Sequence, residues 1–130
     1  MVVAVKRAGG ATNTWVRHFQ SPMFERAQDS DLPLWQRVAF LAWAKCRPNG
    51  HATFRRGELA RFFAQDRANL QRAIREAVTR GWIDPQSCAE CLVPNPHEVQ
   101  GGWGGDAEAP CAVHERKAQL RRERKLRGSA

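Results

Sequence analysis

The sequence predicts a mainly α-helical fold with a small β-hairpin, and three observations point to it. Apolar residues recur at helical spacing over 34–42 and again over 70–78, so two helices each have one face to bury. Two short runs of β-forming residues, 82–83 and 92–93, flank a turn in the manner of a hairpin. From that turn onward apolar residues become scarce, and cysteine and histidine recur in pairs instead.

The elements follow in order. Residues 1–14, with Gly9-Gly10 and a Thr/Asn cluster, read as a flexible arm, and 15–83 as the helical domain. Ser21 is a good N-cap and Pro22 suits a first helical position, so a short helix is expected from Pro22 to about Ala27. A second start signal lies at Asp31 to Pro33. Leu34, Trp35, Val38, Leu41 and Ala42 then line one face of a helix that ends before Pro48-Asn49-Gly50. His51-Ala52-Thr53-Phe54 sits between turn signals and reads as a brief strand. Arg55-Arg56-Gly57 leads into Glu58–Phe63, long enough for about two helical turns.

Asp66 can cap a helix from Arg67 to Arg80, which Gly81 is placed to terminate. Leu70, Ala73, Ile74, Ala77 and Val78 share one face of it, with Ala68, Arg72, Arg75 and Thr79 opposite, so one side packs and the other is basic. Trp82-Ile83 and Leu92-Val93 form the hairpin, with the Cys88–Cys91 turn at its tip. Residues 94–110 hold three prolines and four glycines without periodicity and read as a loop. A module over 84–114 is followed by 115–130, a solvated basic helix or tail with few apolar residues.

At 130 residues with 42% hydrophobic content and five tryptophans, the chain can bury a core, which argues against wholesale disorder. Twenty-one Lys and Arg against 13 Asp and Glu give a formal charge of +8, favouring a polyanionic partner. That charge is uneven. Residues 83–114 hold five acidic side chains and no Lys or Arg, whereas 115–130 hold seven Lys or Arg and two Glu. The N-terminus lacks the apolar stretch of a secretion signal, and no apolar run approaches a bilayer span, so a cytoplasmic location and no membrane partner are expected.

In a reducing compartment four cysteines suggest metal ligands or free thiols rather than disulfides. Cys88-x2-Cys91 and, after 19 intervening residues, Cys111-x2-His114 supply two pairs of soft or borderline donors, each pair in a tight turn, as tetrahedral zinc requires. One structural Zn2+ bound by Cys88, Cys91, Cys111 and His114 is expected, its closed shell leaving no place for a reactive water. The ion would order a segment too poor in apolar residues to order itself. His97 is an alternative to His114. Cys46 reads as a small apolar residue inside its helix, and His18 and His51, lacking companions, as ordinary surface or partly buried residues.

Helices 57–63 and 67–80 form a helix-turn-helix, and the hairpin after it takes the place of a wing. Arg67, Asn69, Gln71, Arg72 and Arg75 on the second helix carry the donors and acceptors that read base edges. Arg55, Arg56 and Arg61 suit phosphate contacts. The run from His51 to Ala60, the Asp66–Arg80 helix, Gly81-Trp82-Ile83 and the Cys88/Cys91 turn together resemble the small winged helix-turn-helix proteins of actinobacteria and their phages, over about residues 15–114. The resemblance implies a second helix in the major groove and a regulatory role. The acidic wing departs from the basic wing usual in such proteins, and the basic C-terminal helix is a candidate substitute.

The expected function is sequence-specific binding of double-stranded DNA, as a transcriptional regulator of a phage or mobile element, with a homodimer spanning two half-sites if the protein pairs. The alternative is an adaptor or inhibitor whose acidic zinc module docks on a host enzyme such as RNA polymerase. Enzymatic activity is not expected: His97-Glu98 and His114-Glu115 are isolated pairs, without the spatial partners a general base needs.

Overall fold

The computed structural model describes residues 2–3, 14–99 and 108–128. It is mainly helical, with small antiparallel strand pairs. β1 (Val2–Val3) pairs with β2 (Trp15–Val16), and the rest of the expected N-terminal arm up to residue 13 lies outside the described residues. Among the described residues no helix is long and apolar enough to cross a membrane.

α1 (Gln20–Ala27) starts two residues before the Pro22 that the sequence suggests, and no side chain caps it. The reason is long-range: Gln20 Nε2 donates to the carbonyls of Trp43 and Cys46, at 3.1 and 3.0 Å, which ties the first turn of α1 to the end of α2 (Leu34–Lys45). Pro22 costs nothing in that first turn, where an amide would have no helical acceptor anyway. α2 buries Val38, Leu41 and Ala42 of the predicted stripe together with Ala39 and Ala44, while Leu34 and Trp35 pack partly buried against the same core. β3 (Ala52–Thr53) leads to α3 (Glu58–Phe63) and α4 (Arg67–Thr79).

Both ends of α4 are made by the residues expected. Asp66 Oδ1 accepts from the Asn69 amide at 2.7 Å. At the other end Gly81, at φ 80°, forms a Schellman turn: Trp82 N donates to Ala77 O and Gly81 N to Val78 O. α3 closes in the same way through the amides of Ala64 and Gln65, but its left-handed residue is Ala64, at φ 52°.

The hairpin returns into the middle of a small sheet. β4 (Cys91–Leu92) pairs antiparallel with β3, Leu92 opposite Ala52 and Cys91 opposite Thr53. On its other side the same segment bridges from Pro94 to Ile83, and Asp84 N donates to Val93 O at 2.7 Å. Alternate residues therefore face opposite ways. Ala52, Ile83 and Leu92 join the helical core with Leu41, Leu59, Leu70 and Ile74. Cys91 and Val93 join a second, smaller cluster with Cys111 and Val113. That cluster receives the start of α5 (Ala112–Gly128), the basic C-terminal helix.

Aromatic rings close the helical core: Trp82 stacks on Trp43 at 5.7 Å and meets Trp35 and Phe40 edge-on. Two substitutions test the turn between α3 and α4. Ala64→Gly, which relieves an alanine held at positive φ, should stabilise the fold by about 0.5–1 kcal/mol. Asp66→Ala, which removes the cap, should cost about 1 kcal/mol. Urea denaturation followed by circular dichroism measures both, and equal midpoints for the two variants would contradict this account of the turn.

Candidate functional site

A hydrogen-bonded turn first brings Cys88 and Cys91 close: Cys88 N donates to Cys91 O at 2.8 Å, and Cys91 N to Cys88 O at 3.1 Å. The strand that leaves this turn pairs with β3, which sets the side chains before and after Ala52 on the face away from the helices. His51 lies there, with Nδ1 3.4 Å from Cys91 Sγ. Cys111 reaches the same point from the chain leading into α5, its Sγ 3.6 Å from that of Cys91. One turn into α5, His114 Nδ1 lies 3.3 Å from Cys111 Sγ. The ligand atoms of His51, Cys91, Cys111 and His114 all fall within 4.8 Å of one another, and this group could hold a metal ion.

Two further contacts orient the ligands. His114 Nε2 lies 2.7 Å from Gln86 O, which fixes that nitrogen as the N–H donor and leaves Nδ1 with a lone pair turned to the thiols. Asn49 joins both sides of the site, donating from Nδ2 to Ala109 O at 3.1 Å and accepting at Oδ1 from the His51 amide at 3.0 Å. Burial, then the hydrogen bond to Cys111 and the neighbouring thiols, push the Cys91 thiol well above its ordinary range. Burial and then the His114 ring hold His51 below the usual imidazole range, so it is neutral and ligand-ready at neutral pH.

Of the four ligands expected from spacing, three meet: Cys91, Cys111 and His114. Cys88 is half-buried and packs against the same cluster, but its sulfur is not in the close group. His97, the alternative ligand, is exposed and outside the group. His51 is the residue that sequence reasoning missed. The signal lay in the alternation of the run: if Ala52 faces the core, its neighbours face the side that carries Cys91.

The basic helix face is also in place. Arg67, Gln71, Arg72 and Arg75 are exposed on α4, with Arg72 and Arg75 opposite the buried Leu70, Ala73, Ile74 and Ala77 and with Arg67 and Gln71 flanking that face. Asn69 is half-buried and turned to the cap, Nδ2 donating to Asp66 Oδ2 at 3.3 Å, while its Oδ1 accepts from Arg72. Arg55 and Arg56 are exposed just before α3, and Arg61 is exposed in its last turn. No protein-family model matches the chain, and neither a curated protein nor a solved structure matches it.

Metal analysis of the purified protein should find one ion per chain, lost on Cys111→Ser or His51→Ala and retained on Cys46→Ser, whose thiol is buried in the helical core. Retention in Cys88→Ser, with loss in His51→Ala, is the result that separates the observed group from the one spacing suggests. Binding must also displace the proton of Cys91. Affinity should therefore fall with falling pH, by about tenfold per pH unit for each proton released, which a competition titration on either side of neutrality measures.

Proposed function

We propose that the chain is a sequence-specific binder of double-stranded DNA with a winged helix-turn-helix arrangement, in which α4 reads the major groove and one structural zinc ion braces the hairpin. The observation that carries the reading is the outward face of α4, where Arg67, Gln71, Arg72 and Arg75 stand exposed on a helix capped at both ends and packed by its other face. Such side chains, held on a rigid helix, can bond guanine and adenine edges in pairs. The order of elements supports it: a strand precedes the two helices, a tight turn joins them, and a hairpin follows the second.

Zinc is the ion that suits the donor set. Two sulfurs and two imidazole nitrogens are a common tetrahedral complement, and the known bond lengths imply ligand-to-ligand edges of about 3.3–3.8 Å. The separations of 3.3, 3.4 and 3.6 Å along the group match such edges. Four protein donors leave no open position, so the ion is a brace and not a reaction centre.

The reading makes two kinds of arginine behave differently. On a cognate duplex found by selection from random sequences, Arg72→Ala or Arg75→Ala should each cost about 1–3 kcal/mol and relax sequence preference. Arg55→Ala or Arg56→Ala should weaken cognate and random duplexes alike and lower the salt slope by about one unit. Failure of the selection to enrich any sequence, with retention on a host protein instead, would turn the reading to an adaptor.

A further inference from the structure

The first turn of α5 is seated on the tip of the hairpin. Arg116 donates to the Glu90 carboxylate, the His114 ring meets Gln86 O, and Cys111 and Val113 are buried beside Cys91 and Val93. Beyond that turn the helix projects, with Leu120, Arg121, Arg122 and Arg124 all exposed and Val113 its one buried residue. The seat is acidic and the helix basic. Segment 83–99 carries Asp84, Glu90 and Glu98 with no Lys or Arg, whereas α5 carries seven Lys or Arg against two Glu. Glu90 is taken by Arg116, and three carboxylates are too few to balance the seven Lys and Arg of the helix.

We propose that α5 is a second duplex-contacting element, which lies along the phosphate backbone in the role an acidic hairpin cannot fill, and that this contact exists only while the metal is bound. The proposal rests on the DNA-binding reading above. Lys117 and Arg121 stand four residues apart, and Arg121 and Arg124 three, so like charges are neighbours along the helix and repel. A row of phosphates removes that repulsion and releases counterions as it does so.

The metal dependence follows from where the ligands lie. His51 belongs to the segment before β3, Cys91 to the hairpin, and Cys111 and His114 to the start of α5. One ion therefore joins the base of α5 to both other segments. Without it the apolar seat is the side chains of Val93, Val113 and the cysteines, too little surface to hold a helix of 17 residues in one direction.

The test measures affinity of the full chain for a random-sequence duplex against salt concentration, loaded with zinc chloride or stripped by chelator, for wild type and for the triple variant Arg121→Gln/Arg122→Gln/Arg124→Gln. With zinc, the triple variant should bind about tenfold or more weakly at low salt, and its salt slope should drop by about three units. Stripping should weaken the wild type by a similar factor and the variant little further. Equal binding by the zinc-loaded wild type and variant overturns the role of α5, and leaves the α4 reading standing if a cognate duplex is still bound. A variant weakened by zinc-independent amounts, with the wild type indifferent to chelation, overturns the metal dependence. No duplex affinity in any form overturns both the proposal and the reading beneath it.

Discussion

The pairing of Ala52 with Leu92 and Thr53 with Cys91 is the constraint on which the rest of the molecule depends. Two residues from each strand are enough because the side chains alternate. One face delivers Ala52 and Leu92, both fully buried, to the helices, and the other delivers Cys91 to the ligand cluster. A slip of one residue would exchange these faces, putting a thiol in the apolar core and a leucine among the imidazoles. Burial on one side and ligand geometry on the other thus specify the same register.

What the sequence made legible was local. Asp66 and Gly81 act within a turn of the helix they bound, so the ends of α4 could be read directly. Cys111 and His114 are brought together by one helical turn, and spacing reported it. His51 was not legible, because its place beside Cys91 depends on a strand pairing 40 residues apart in the chain. The start of α1 escaped for a similar reason: Gln20 is held by carbonyls 23 and 26 residues away, and that outweighs the capping preference of Ser21.

The positive charge of the chain is likewise divided in a way composition does not show. Lys45 sits 4.4 Å from the Phe24 ring centroid, and Arg37 lies over Phe63 while donating to Ala27 O. Arg80 lies over Trp35 and pairs with Glu76. These cations cover aromatic surface and knit the helices together. The arginines of α4 from Arg67 to Arg75 and those of α5 beyond Arg116 are a different population, presented on outward faces. A net charge alone would have counted both kinds as one.

The bond from Asn49 to Ala109 closes a loop of 60 residues, and the ligand group spans nearly the same stretch of chain. Closing so long a loop is slow compared with forming the contacts inside it. The core packing of α1 to α4 and the hairpin is made among residues 20–94, so it does not depend on that closure. An ion held by the ligand group would fasten the same long closure, adding its binding energy to a contact otherwise made by few side chains.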